Sequence, residues 1–265
     1  MNFLRHYLLA LQFFTRIPVT GRLAQWVGYS PAMLRASAAH FPGVGWLVGA
    51  LVAGVSALLL RVLPPSAYGP LVVAVLGTAW GVWITGAFHE DGLADVADGL
   101  GGSSERERAL LIMKDSRVGA FGVLAVVLVL LAKVSLLALI GSISAVAMCL
   151  GLFSAHVVSR LLPLVLIRAM PHVGDVATTK SKPLADQISG GSLAVAFLWS
   201  LSALALVYYM DSDINLIASV LAAVVALLWM WRLFWRRLRG FTGDCLGATQ
   251  QVCELAFYLG LALTL

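Results

Sequence analysis

Charge is what this chain has least of. Its 265 residues include 18 Lys and Arg and 13 Asp and Glu, together 12% of the chain, about half the charged share of an ordinary soluble domain. With 60% hydrophobic residues and a mean hydropathy of +0.93, that scarcity argues against a water-soluble enzyme. Cysteine is scarce too. Cys149, Cys245 and Cys253 have no metal-ligand spacing, and an odd number cannot form a complete disulfide framework. The net charge of +5 comes without a basic stripe and aromatic platforms, so no nucleic-acid partner is expected. Internal repeats and low-complexity stretches are lacking. So is the small-residue cleavage site that would make residues 3–14 a signal peptide.

What the chain does have is apolar residues in blocks, near 41–60, 69–88, 119–141, 143–167, 191–210, 214–231 and 246–265. Each is close to the ~20 residues a membrane-spanning helix needs. The last is the weakest, because Gln250, Gln251 and Glu254 interrupt it. Residues 3–14 are too short to span and carry Arg5 and Gln12, which predicts an interfacial or re-entrant helix. The fold class expected is therefore all-α: a polytopic integral membrane bundle of about seven transmembrane helices in a single domain, residues 1–265.

Seven spans place residues 1–40, 89–118, 168–190 and 232–245 on one side. Fifteen of the 18 Lys and Arg fall there, Lys180, Lys182, Arg232, Arg236, Arg237 and Arg239 among them. The positive-inside rule makes that side cytoplasmic. The arginines at 232–239 read as anchors beside anionic lipid, so membrane lipid is an expected partner. Self-association is neither required nor excluded.

Against this sparse background the segment His89-Glu90-Asp91-Gly92-Leu93-Ala94-Asp95-Val96-Ala97-Asp98 carries four acids in ten residues. On a helix Asp91, Asp95 and Asp98 stand at i, i+4 and i+7, on one narrow arc. Bare carboxylates that close repel unless a cation sits among them. Asp is the short hard-oxygen ligand of Mg2+, which takes one or two carboxylates and completes its shell with water and substrate phosphate. Glu90 lies about 100° off that arc. The glycines at Leu100-Gly101-Gly102-Ser103-Ser104 read as a flexible linker or as backbone donors for an anion. Glu105, Arg106, Glu107 and Arg108 read as a solvated helix face.

Two further polar segments suit phosphate chemistry. In Lys114-Asp115-Ser116-Arg117-Val118-Gly119, Lys114 and Arg117 could neutralise phosphate oxygens or snorkel at the membrane edge. Asp115 could add a metal ligand or orient Arg117. In Thr242-Gly243-Asp244-Cys245-Leu246-Gly247-Ala248, Thr242 and Asp244 offer a hydroxyl and a carboxylate on a tight turn. Within the apolar runs, Glu254 and the pair His156 and Arg160 are intramembrane ionisable groups. They are either functional, with His156 and Arg160 as substrate-binding candidates, or an interhelical pair holding the bundle together. Lys133 reads as a pairing or snorkelling residue.

Taken together, Phe13-Phe14-Thr15-Arg16-Ile17-Pro18, the 89–99 segment with 114–122, and Gly243–Ala248 resemble the cobalamin synthase family, also called adenosylcobinamide-GDP ribazoletransferases. The resemblance runs from about residue 3 to about residue 260. It implies a Mg2+-dependent membrane enzyme with adenosylcobinamide-GDP and α-ribazole, or α-ribazole 5′-phosphate, as substrates. A ribose hydroxyl attacks the phosphorus joined to the cobinamide arm, and GMP leaves. On this resemblance Asp91, Asp95 and Asp98 are metal ligands, with Asp115 and Asp244 as further ligands. Lys114 and Arg117 clamp phosphate, and Ser116 and Thr242 contact substrate. Arg16, with Thr15, shapes the substrate mouth. His89 could accept the hydroxyl proton, as could an aspartate or a metal-bound alkoxide.

Two other readings compete. A CDP-alcohol phosphotransferase also spaces aspartates on membrane helices, but its pattern has an Arg where Asp95 stands. An ion or metal transporter would explain Lys133, His156, Arg160 and Glu254, yet not an acidic, glycine-broken loop on one side.

Overall fold

The computed structural model describes residues 2–174 and 187–265. Lys180 and Lys182, counted above among the cytoplasmic bases, lie outside these residues. Among the described residues the regular structure is helical, apart from an isolated parallel bridge between His172 and Phe241.

Helix α1 (Asn2–Phe14) buries Leu9, Leu11 and Phe14 and leaves Phe3 and Leu4 exposed. Its 13 residues cannot cross a bilayer. Two short helices follow, α2 (Gly21–Val27) and α3 (Pro31–Ser37). The Ser30 hydroxyl starts α3 by accepting from the Met33 amide (3.1 Å). They were not anticipated, since seven residues are too few for a hydrophobic period to register. A single 3-10 turn carries α3 into α4 (Phe41–Val62).

Each of the seven apolar runs forms a helix. Among the described residues five elements are long and apolar enough to span: Pro31–Val62, α8 (Ala120–Ile143), α9 (Ala145–Ala169), α10 (Gly190–Met210) and α11 (Leu216–Arg237). A sixth is counted if α5 (Gly69–Thr85) and α6 (Phe88–Gly102), bent by 90°, are taken as one; the short α7 (Arg106–Ile112) lies between α6 and α8. The last run is α12 (Gly243–Ala262), whose polar residues face neighbours inside the bundle. It packs on α6, α9 and α11. About seven membrane helices is thus close, with the polar run as an inner helix.

The 90° bend is built from two left-handed residues, Gly86 (φ 68) and Ala87 (φ 59). Glycine adopts this conformation freely, whereas Ala87 costs about 1 kcal/mol, which the surrounding packing must hold. The bend turns α6 away from the axis of α5, outside the five spans. The centre of the bundle is α9, buried along most of its length. By contrast α8 exposes Leu124, Leu128 and Leu131 to the lipid side.

Candidate active site

Helix α6 carries the aspartates and crosses the start of α12 where both have glycine. A Cβ on Gly92 would lie 2.9 Å from the Asp244 carbonyl oxygen, and one on Gly247 would lie 3.3 Å from the His89 carbonyl oxygen. Only hydrogens at these positions let the two backbones meet. Thr242 is the N-cap of α12, accepting from the Cys245 amide at 3.4 Å, and its hydroxyl donates to Asp244 Oδ2 at 3.3 Å. The crossing therefore sets Asp244, from the far end of the sequence, beside Asp91 and Asp95.

The three aspartates of α6 are not equivalent. Asp91 is exposed, Asp95 half-buried and Asp98 buried, because the start of α8 lies over the C-terminal half of α6. Desolvation, then the charges of Asp244, Asp91 and Asp98, push the Asp95 carboxyl up to about 7. The Asp98 carboxylate takes the Gly119 amide on one oxygen (2.7 Å) and the Gly122 amide on the other (2.8 Å). It thereby caps α8, where a negative charge also meets the positive end of the helix dipole. Asp98, expected as an open metal ligand, is a structural clamp between two helices.

Asp115 also departs from the ligand expectation. Its two oxygens take the Arg117 side chain at 3.0 Å (Nε) and 2.6 Å (Nη2), and Oδ1 takes the Arg117 amide at 3.0 Å. These bonds hold its pKa down to about 2. Of the two readings left open, the geometry realises the orientation of Arg117. Ser116 is exposed in the same turn. The glycines read as a linker are helical: α6 continues through Gly102, and a Cβ on Gly101 would lie 2.6 Å from the Phe121 ring of α8. They are smooth packing surface.

Beside the α6–α12 crossing opens a cleft of about 390 Å3, lined by Glu107, Lys114, His172, Thr242 and Asp244 among others. Lys114 and Asp244, from separate motifs, face the same space. His172 and Glu107 were missed: no motif marks His172, and Glu107 reads as part of a solvated face. The bridge between residues 172 and 241 holds this wall, with the Val173 amide donating to the Phe241 carbonyl (2.9 Å) and the Phe241 amide to that of Pro171 (3.1 Å). Arg106 Nε donates to the Leu238 carbonyl (2.6 Å). Arg237 Nη2 donates to those of Leu100 (3.0 Å) and Ser103 (2.5 Å). Arg237, expected as a lipid anchor, instead ties the end of α11 to the end of α6. Arg16 packs against Gly86 at the bend and lines a different groove, between α5 and α8.

Behind the cleft lies a buried polar network. Glu254 Oε1 pairs with Lys133 Nζ (2.7 Å) and accepts from the Tyr258 hydroxyl (2.9 Å), while Oε2 accepts from Gln250 (2.7 Å). Gln250 reaches Ser159 (2.9 Å), and Gln251 donates to Glu90 Oε1 (3.0 Å). Glu90 thus points inward, away from the aspartate arc, as its 100° offset predicts. Arg160 donates to the His156 carbonyl (2.8 Å) and contacts its ring nitrogen (3.0 Å). His156 is 4% exposed and Arg160 1%, so neither reaches the cleft. Their substrate-binding assignment gives way to a role in the bundle interior, and Lys133 is a pairing residue. His89, 2% exposed, stacks on Phe41. Burial keeps its pKa well below 6.5.

Among the described residues no three His, Cys, Asp or Glu side chains converge closely enough to hold a metal as placed. Mg2+ does not require three, since water and substrate phosphate complete its shell. The hard-oxygen donors Asp91, Asp95 and Asp244 fit that ion: the charge of Asp91 is near enough to help raise the proton affinity of both Asp95 and Asp244.

Over residues 6–262 the chain matches the family described as cobalamin-5-phosphate synthase. It is 67% identical to the adenosylcobinamide-GDP ribazoletransferase of Albidiferax ferrireducens, across 100% of this chain and 99% of that one. The protein of the same name from Polaromonas naphthalenivorans is 62% identical across 100% of both chains. That of Vibrio cholerae is 40% identical, covering 96% of this chain and 91% of its own. No solved structure matches the chain.

Proposed function

The chain belongs to the cobalamin-5-phosphate synthase family, and from that premise we propose how its residues perform the adenosylcobinamide-GDP ribazoletransferase reaction. A ribose hydroxyl of α-ribazole, or of its 5′-phosphate, bonds to the phosphorus attached to the cobinamide arm. The bond from that phosphorus to the GMP oxygen breaks, and GMP leaves with the electron pair. The hydroxyl proton passes to a carboxylate oxygen of the aspartate cluster, because His89 is sealed behind Phe41. Transfers of this kind depend on positioning and charge neutralisation and need no covalent enzyme intermediate.

The observation that carries this reading is the meeting of Asp91 and Asp95 with Asp244 at a glycine crossing, beside a cleft that also presents Lys114 and Thr242. Asp91, Asp95 and Asp244 would hold Mg2+. When bound, the ion would neutralise the diphosphate of the activated substrate. Lys114 contributes a positive charge from the cleft wall, and Arg117, fixed by Asp115, a second at its outer edge. Asp98 keeps α8 seated on α6 and so fixes the angle of the aspartate arc. We place the cleft on the cytoplasmic side of a bacterial inner membrane, supported by the crowding of basic residues on that side and by the need for a nucleotide-activated substrate.

Purified protein incubated with adenosylcobinamide-GDP, α-ribazole and Mg2+ should release GMP and a cobalamin in equal amounts, separable by chromatography. Chelation should stop the reaction. Absence of both products, with turnover of a CDP-alcohol instead, would overturn the assignment.

A further inference from the structure

The end of α11 holds a second cleft, of about 380 Å3, lined by Ala169, Leu228, Trp231, Arg232, Trp235 and Arg236. The chemistry described above makes no use of it. Trp231 and Trp235, like Arg232 and Arg236, are four residues apart, so one helix face presents two indoles beside two guanidinium groups. Arg232 and Arg236 are exposed, and neither makes a hydrogen bond or ion pair among the described residues. Neither α9 nor α11 contains an Asp or Glu, so neither of the helices at the cleft can supply a counter-charge. Arg168, also exposed, precedes Ala169 in the last turn of α9 and adds to the positive field.

The same face continues down α11 as an apolar track. Leu221, Val225 and Leu228 are 59%, 65% and 52% exposed, and they follow one another at i, i+4 and i+7 into Arg232 and Trp235. A water-soluble anion would use the guanidinium groups and leave the track bare. A protein partner would have to lie within the lipid. A ligand with an anionic head and two long apolar chains uses both, with the tryptophans at the level where head and chains join.

We propose that this cleft is a binding site for an anionic phospholipid, its phosphate held between Arg232 and Arg236 and its chains laid along Leu221, Val225 and Leu228. The site grips the helix end whose next residue, Arg237, ties α6 in place and whose continuation leads to Thr242 and Asp244. An occupied site therefore steadies the wall of the catalytic cleft.

The test is lipid retention by native mass spectrometry of the purified full-length protein, offered phosphatidylglycerol and phosphatidylcholine of identical chains. Each arginine near an anionic headgroup contributes about a fivefold preference, so the pair should give roughly 25-fold. Arg232→Gln with Arg236→Gln should abolish it, and Arg61→Gln, outside this cleft, should leave it intact. Millimolar inorganic phosphate should not displace the lipid. As a measurement on the unaltered protein, tryptophan fluorescence should be quenched more by chain-brominated phosphatidylglycerol than by its phosphatidylcholine counterpart. Equal retention of the two lipids by the unaltered protein, preference surviving the double substitution, or displacement by free phosphate would each overturn the proposal.

Discussion

Asp98 offers the sharpest separation between a residue that holds the metal and one that holds the helix that holds the metal. Its two oxygens take the amides of Gly119 and Gly122 at 2.7 and 2.8 Å, and the residue is 8% exposed. Hydrogen bonds to a charged acceptor contribute about 1.5–3 kcal/mol each, and a buried amide left without an acceptor costs about 1–3 kcal/mol. Asp98→Ala strands both amides and removes the charge facing the α8 dipole, so a loss of roughly 3–5 kcal/mol is expected. Asp98→Asn keeps one acceptor and turns an NH2 group toward the other amide, for about 2 kcal/mol. Two measurements decide the matter: thermal unfolding in detergent, and the Mg2+ concentration for half-maximal turnover. Positioning predicts that Asp98→Asn lowers the unfolding temperature while leaving the Mg2+ requirement within about twofold of the parent. Asp91→Asn should do the opposite, raising the requirement by about tenfold or more, as losing a ligand would. An Asp98→Asn protein of unchanged stability that needs far more Mg2+ would refute the reasoning and restore Asp98 as a ligand.

Three other outcomes follow from the same geometry. Gly92→Ala places a methyl 2.9 Å from the Asp244 carbonyl oxygen, so it should destabilise by about 1–3 kcal/mol and cost activity by pushing Asp244 off the arc. Parent-like kcat would mean that the crossing does not set the site. Glu254→Leu leaves Lys133 buried and unpaired, at about 3–5 kcal/mol, whereas Lys133→Met combined with Glu254→Leu should be far milder than the sum of the two single losses. Additive losses in denaturation of the four proteins would show that the pair is not coupled. Asp95 has its pKa raised from 3.8 to about 7. Without metal the folded protein holds a proton that the unfolded chain has lost between those values, so stability should fall as pH rises through that window. Mg2+ competes with the same proton. Its apparent affinity should strengthen by up to about tenfold per pH unit below about 7 and level off above, and a flat titration from pH 5.5 to 8.5 would count against Asp95 as a ligand.

The helices were legible because a spanning run needs no partner to be recognised: ~20 apolar residues suffice. Which run lies at the centre was not, because hydropathy does not record neighbours. Both α8 and α9 read as spans, yet α8 faces lipid and α9 is enclosed. The difference lies in Ser154, His156, Ser159 and Arg160, polar positions that only an interior could satisfy. The last run looked weakest as a span for the same reason. Its Gln250, Gln251 and Glu254 meet Ser159, Glu90 and Lys133 on three other helices, so residues that weaken a lipid-facing helix strengthen an inner one.

The site divides along a similar line. Helical spacing put Asp91, Asp95 and Asp98 on one arc, and the arc exists. Spacing carries no information about what lies over each position, and the start of α8 covers the third aspartate while leaving the first open. Glycine was the signal that could have told them apart. The Gly119 and Gly122 that follow Arg117 have no room for a side chain, because Asp98 occupies it. Gly92 and Gly247 have none because two backbones meet there. In a chain this poor in charge, each acidic residue must answer to a cation or to a row of amides. Small residues elsewhere in the sequence mark which of the two it has found: paired across helices they point to a crossing that assembles a site, and following a basic turn they point to a helix start that consumes the carboxylate.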